Sequence, residues 1–154
     1  EYGNSTGLLD KNGQITETYK QVMAINHEVN AMRGCILYYD FSSVLFLNNE
    51  AMGENYKSYG ILTDEVTWGD MTSIKVNGDK FLLVGCLKSN RTADKEGYYF
   101  VNPDVTANKT FTVEFKQSEV IRMWSGRGLD LAAPVKTLTI TLGPGEGVFL
   151  ENMT

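Results

Sequence analysis

Few residues of this chain have the type and spacing to do chemistry. Hydrolysis of a glycosidic bond needs two carboxyl groups facing each other across a cleft, roughly 5–9 Å apart. The acids of the right kind are Asp40, Glu50, Glu54, Asp64, Glu65, Asp70, Asp94, Glu96 and Asp104. Nearly all fall in loops or turns, where acids are expected for solvation alone, and no spacing singles out a pair. His27 is the only histidine, so a Ser-His-Asp triad would have to use it. Cys35 and Cys86 stand far apart in apolar runs, without a Cys-x-x-Cys pair. They read as two buried reduced thiols, and a zinc ligand set is not expected. A disulfide would need their Cα atoms within about 7 Å, which spacing alone does not reveal. The stretches "GRG" and "GPGEG" lack the Lys-Ser/Thr and following helix of a phosphate-cradling loop, and there is no EF-hand loop. No catalytic residue, metal site or cofactor is expected.

Aromatic side chains offer another route, because sugar rings stack on exposed Trp and Tyr. Trp68 in "VTWGDM" lies beside a turn, Trp124 ends a strand before a turn, and Tyr56 and Tyr59 lie in a polar stretch. These four are the candidate carbohydrate-binding residues. The tryptophans equally suit the core of a sandwich or the plugs at its ends, and both readings stay open.

Composition narrows the partners. The chain of 154 residues suits one domain with a real core, and its 42% hydrophobic content is ordinary for a globular protein. A net charge of −5 with no basic run argues against nucleic acid and against a membrane surface. No apolar run approaches the roughly 18 residues of a membrane span. No secretory signal is recognisable, and with Glu1 in first place the sequence is expected to be a mature, truncated or excised piece.

The elements that must position these residues begin with a turn, Asp10-Lys11-Asn12-Gly13. Thr16 then suits a helix N-cap and Glu17 the positive end of the helix dipole. Tyr19, Val22, Ile25, Val29 and Met32 recur at three- and four-residue spacing, a one-sided stripe that Met23 widens. Such a stripe needs a surface to cover. Lys20, Gln21, His27 and Glu28 make the polar face, and Gly34 suits the C′ position that ends a helix.

After Gly34 the period changes to that of strands. "CILYY" and "VLFLN" read as two strands separated by "DFSS", Asn49 to Gly60 as a long loop, and "ILTDEVTW" as one short strand. "SIKV" and "KFLLVGCL" around Asn77-Gly78 read as a hairpin. "YYFVN", "KTFTVEF", "EVIRMW" with its closing turn "SGRG", and "VFLEN" after "GPGEG" supply further strands. Phe111, Val113 and Phe115 alternate with Thr110, Thr112 and Glu114, and Leu138, Ile140 and Leu142 with Thr137, Thr139 and Thr141. About eight to ten strands without interleaved helices predict a mainly β fold, an antiparallel β-sandwich of Greek-key/immunoglobulin-like or jelly-roll-like type with one N-terminal α-helix. The expected division is residues 1–34, turn and helix, and residues 35–154, sandwich.

Three stretches carry a family resemblance. "GLLDKNGQITETYKQVMAINHEVNAM" resembles the end of the catalytic (β/α)₈ barrel in glycoside hydrolases of the β-galactosidase type, matching at Asp10, Gly13, Thr16, Glu17, Tyr19, Asn26 and Glu28. "FLLVGCLKSNRTADKEGYYFVNPDVTANKTFTVEF", with its Val101-Asn102 pair, and "LTITLGPGEGVFLEN" resemble strands and the closing hairpin of the C-terminal sandwich of such enzymes. The resemblance implies a non-catalytic accessory domain preceded by the last helix of a barrel in the same chain. On that reading Tyr19, Val22, Ile25, Val29 and Met32 form the domain-interface helix. The catalytic pair would lie upstream, and an oligosaccharide or polysaccharide is the implied partner. The alternative is a carbohydrate-binding module with a Trp or Tyr platform.

Overall fold

The computed structural model describes residues 7–47, 68–78, 82–93 and 95–153. The helix starts as its cap dictates. Asp10 Oδ1 closes the preceding turn by accepting from the N–H groups of Asn12 and Gln14, both at 2.8 Å. Thr16 Oγ1 accepts from Tyr19 N–H at 3.3 Å and opens α1, Glu17–Ala31. Its end differs from expectation. Gly34 is not a C′ residue but lies inside a short second helix, α2, Arg33–Ile36. A Cβ at Gly34 would meet the Trp124 ring at 2.9 Å, so close packing, rather than a left-handed cap, is what glycine permits there. Cys35 and Ile36 are accordingly helical, not part of a strand, and β1, Tyr39–Leu47, runs straight through "DFSS" with an irregularity between Phe41 and Ser43.

The remaining strands are β2, Met71–Val76; β3, Leu82–Ser89; β4, Glu96–Val101; β5, Lys109–Glu119; β6, Ile121–Ser125; β7, Gly128–Leu131; β8, Val135–Leu142; and β9, Gly147–Asn152. All pairings are antiparallel. Six strands form one sheet in the order β1-β3-β4-β9-β6-β7, and three form another, β2-β5-β8. The protein is an antiparallel β-sandwich with one main helix near its N-terminus.

Two turns that read as hairpins join different sheets instead. Gly78, at φ +79°, makes the Asn77-Gly78 turn, but β2 pairs with β5 whereas β3 pairs with β1 and β4. Asn77 N–H donates to Thr110 O at 3.0 Å and stays with the smaller sheet. "GPGEG" likewise leads from β8 in one sheet to β9 in the other. Turn residues specify a reversal of the chain, and the side-chain faces decide which sheet it enters. "SGRG" does close a true hairpin, because Ser125 pairs with Gly128. The expected loop at Asn49–Gly60 and most of "ILTDEVTW" lie outside the described residues; Trp68 makes an isolated bridge to Met71.

The core between the sheets follows from the alternation. Phe111, Val113 and Phe115 of β5 are fully buried against Val84, Tyr98, Phe100 and Leu150 of the larger sheet, and Phe100 stacks on Phe111 at 4.8 Å. On the outside of the smaller sheet, Thr110 and Thr112 bond to Thr141 and Thr139 at 2.8 and 3.0 Å. The larger sheet is apolar on its other face too. There Tyr39 and Phe149, with Leu87, Tyr99 and Trp124 against them, are covered by Met32 and Cys35 of the helical segment. Among the described residues, the buried polar atoms without a hydrogen-bond partner include Ser43 Oγ, Trp68 Nε1 and both carboxyl oxygens of fully buried Glu119.

Urea denaturation tests this division. Phe111→Ala is expected to cost about 3–5 kcal/mol, whereas Phe41→Ala, at a site 58% exposed, should stay within about 0.5 kcal/mol. Glu119→Met removes, at similar length, a buried carboxyl that has no hydrogen-bond partner among the described residues and should raise the midpoint; a lowered midpoint would mean that the carboxyl has a stabilising role.

Candidate functional site

Helix α1 contains no buried residue. Along the stripe Val22 is 38% exposed, Ile25 57% and Val29 53%; Tyr19 is half-buried, and Met32 alone is buried, inside the outer cluster. Met23 beside the stripe is exposed as well, as are Leu8, Leu9 and Ile15 in the preceding turn. The helix therefore presents an apolar face without a cover among the described residues. It is held to the sandwich near its C-terminal end. Met32 packs on the large sheet, and the Glu28 stem lies against Gly126, where an added Cβ would meet it at 2.8 Å. A cleft of about 440 Å³ remains between Glu28, Tyr99, Arg127 and Glu146. His27 is exposed, as are Lys20 and Glu17, which pair at 3.2 Å.

Beneath the end of the helical segment lies a polar network. Glu151 of β9 points outward from the large sheet with its side chain 12% exposed. Tyr39 Oη donates to its Oε1 at 2.8 Å, Lys95 Nζ approaches the same oxygen at 3.3 Å, and Arg122 Nη1 reaches Oε2 at 3.3 Å. Trp124 Nε1–H makes a longer contact to Oε2 at 3.5 Å. Burial alone would push the Glu151 carboxyl up, but the Tyr39 hydroxyl, Lys95 and Trp124 outweigh it and hold it below the ordinary carboxylate range. Trp124 is thus half-buried structure, packed on the outer cluster.

Trp68 is placed elsewhere. It packs against the core between the sheets, with its Nε1 buried and without a hydrogen-bond partner among the described residues, and Lys88 Nζ lies 5.5 Å from its ring centre. The two tryptophans therefore belong to separate clusters and do not build one platform. Tyr56 and Tyr59 lie outside the described residues. Beside Trp68 the chain enters a second cleft of about 440 Å³, lined by Asp70, Lys95, Glu96, Tyr98, Lys116 and Asn152. Asp70 N–H donates to Tyr98 Oη at 3.2 Å, and Asn152 Nδ2 donates to Asp70 Oδ2 at 3.1 Å.

Asp70 and Glu96 figure in the sequence as solitary acids; Glu151, Tyr98 and Asn152 do not stand out there at all. Strand parity is the signal that places Tyr98 inward and Glu151 outward. At the other end of the sandwich the stretches around Asn102 and "GPGEG" meet. Buried Asn102 donates through Nδ2 to Gly143 O at 2.8 Å and Ala107 O at 2.9 Å, and Glu146 Oε2 accepts from Gly143 N–H at 2.7 Å. Cys35 and Cys86 are both free and buried, and burial pushes each thiol up to about 11. Among the described residues no three or more His, Cys, Asp or Glu side chains gather as a metal site.

Comparison with protein-family models, with curated proteins and with solved structures finds no match to this chain.

The Glu151 network carries a pH signature. A carboxyl held low in the fold contributes stability above its unfolded value of about 4.3, and loses it as pH falls through the lower folded value. Glu151→Gln is therefore expected to melt lower than the parent at pH 7, with the gap closing as pH drops below about 4. Thermal melts across that range check it; a gap that persists unchanged in acid contradicts a charge-based role.

Proposed function

We propose that this chain is the non-catalytic C-terminal accessory β-sandwich of a glycoside hydrolase, docked through α1 against a (β/α)₈ catalytic barrel in the same chain. The observation that supports this reading is the stripe Val22, Ile25 and Val29, uncovered among the described residues, on a helix with no buried residue. An amphipathic helix of 15 residues gains most of its stability in proteins from packing its apolar face, so an uncovered face calls for a partner surface. The order of the three resembling stretches supplies the kind of partner, a barrel whose last helix this would be. The sandwich would then cover barrel surface, stabilise the catalytic domain in carbohydrate breakdown and take no part in bond cleavage.

A carbohydrate-binding module with a shared Trp/Tyr platform has less support, because Trp68 and Trp124 pack on different clusters.

The test is a double substitution, Ile25→Glu with Val29→Glu. In the isolated chain it should leave the melting temperature almost unchanged, because both sites face solvent. In the gene product carrying the upstream barrel it should separate the two domains in limited proteolysis and shorten the thermal half-life of the hydrolase. A gene that encodes no barrel upstream overturns the reading, as does a full-length enzyme indifferent to the substitutions.

A further inference from the structure

The smaller sheet ends at β8, and among the described residues no strand pairs with its outer edge. We infer that this edge is an interaction surface for a second copy of the chain, β8 pairing antiparallel with β8 about a two-fold axis at Thr139. The inference goes beyond the docking of α1 and uses no residue of that helix.

The choice of edge comes first. In a bare edge strand alternate residues turn both N–H and C=O away from the sheet, a ready template for another strand. Proteins blunt such edges with charge, irregularity or shortness. Among the described residues the two sheets have four edges, and three are blunted in these ways. β1 carries Asp40 and an irregularity between Phe41 and Ser43, and β2 carries Lys75 and an irregularity between Met71 and Ser73. β7 has four residues and carries Asp130. β8 has eight residues and pairs with β5 without a break from Thr137 to Leu142. Its single charge, Lys136, lies outside that run.

The residues of the edge indicate what pairs with it. Thr137-Leu138-Thr139-Ile140-Thr141 reads the same in both directions by residue type, three threonines separated by branched apolar residues. A two-fold antiparallel contact sets each residue against its mirror position. Centred on Thr139, it sets Thr139 against Thr139 of the second copy, Thr137 against Thr141 and Leu138 against Ile140. Each residue then meets its own kind, and both faces of the sheet stay in register. A charged residue at the centre would face itself and repel, whereas a threonine hydroxyl both donates and accepts. On the outer face Thr112 and Thr139 already bond at 3.0 Å, and Thr110 and Thr141 at 2.8 Å. Each hydroxyl has one donor and two acceptor positions, so capacity remains for the threonine across the axis.

The inward face agrees. Leu138 and Ile140 pack against the core yet are only half-buried. With Met123, Leu142 and Val148 they line a cleft of about 240 Å³. Its charged residues make no demand on a strand: Arg127 pairs with Glu146 at 3.1 Å, and Asp130 is exposed to solvent. Setting Leu138 against Ile140 of the second copy covers apolar surface that one copy leaves wet. A contact of one strand edge lies at the low end of specific interfaces, so a dissociation constant of roughly 10–100 µM is expected.

The test is sedimentation equilibrium of this chain from about 5 µM to about 1 mM, with amide hydrogen exchange at the same concentrations. The mass is expected to rise from monomer to dimer, and edge amides between Thr137 and Thr141 should exchange more slowly as it does. Thr139→Lys and Thr139→Glu should each weaken the dimer at least about tenfold, because like charges then face each other across the axis. An equimolar mixture of the two should dimerise again, which also shows that both variants fold. Ile25→Glu with Val29→Glu should leave the dimer intact. If circular dichroism finds either Thr139 variant unfolded, the concentration-dependent exchange of the parent decides. The inference is overturned by a monomer at every concentration, by slowed exchange centred elsewhere, or by a dimer that survives Thr139→Lys. Two folded variants that fail to dimerise when mixed overturn it too, as does a dimer lost only with the helix substitutions. Each of those results leaves the docking of α1 on a barrel to its own test.

Discussion

The larger sheet of this protein is apolar on both faces, and the rest of the structure follows from covering both. β4 and β9 show it most clearly. Tyr98, Phe100, Val148 and Leu150 point into the space between the sheets, while Tyr99 and Phe149 point the other way. Each such side chain is worth roughly 1.5–3 kcal/mol if buried and nothing if left wet. The three-stranded sheet covers one face through Phe111, Val113 and Phe115. Met32 and Cys35 cover the other. The helical segment is therefore part of the sandwich at its C-terminal end and an appendage over most of its length. That split explains how one helix can accompany a fold built from strands and still carry a stripe that is uncovered among the described residues.

Several buried polar groups are satisfied at the ends of the sandwich, whereas Glu119 and Trp68 Nε1 have no hydrogen-bond partner among the described residues. At one end of the sandwich, Asn102 ties the loop after β4 to the turn before β9, so two inter-sheet crossings share one buried amide. At the other, Asp70 bonds to Tyr98 and Asn152 across the two sheets. Glu151 lies on the outer face, where four side chains hold it. Placing a carboxylate there costs desolvation, which an isolated partner would not offset. The network links β1, β6 and β9 with Lys95 beside β4, and so fixes the surface on which α2 rests.

Legibility in the sequence followed the range of each interaction. The N-cap at Thr16 and the turn at Asp10 are local and were readable from a few residues. So was the alternation of β5 and β8, because period two needs only the strand itself. Sheet membership was not readable: Asn77-Gly78 has a hairpin's chemistry but joins two sheets. Gly34 misled for the same reason, since Trp124, not the helix end, requires it. Tyr39 and Glu151 lie 112 positions apart, and nothing in either neighbourhood announces the other. The cleft beside Trp68 is assembled from the approach to β2, the segment leading into β4, and from β4, β5 and β9, places that only the fold brings together.

The central claim is that the sandwich is complete in itself while α1 awaits another surface. Native-state hydrogen exchange on this chain tests it most directly. The account predicts that amides from Gln21 to Val29 exchange through small local openings, whereas those of Tyr98, Phe100 and Leu150 exchange only with global unfolding. Equal protection of α1 and of the central strands would contradict it, because a helix that opens only with the whole molecule is already covered.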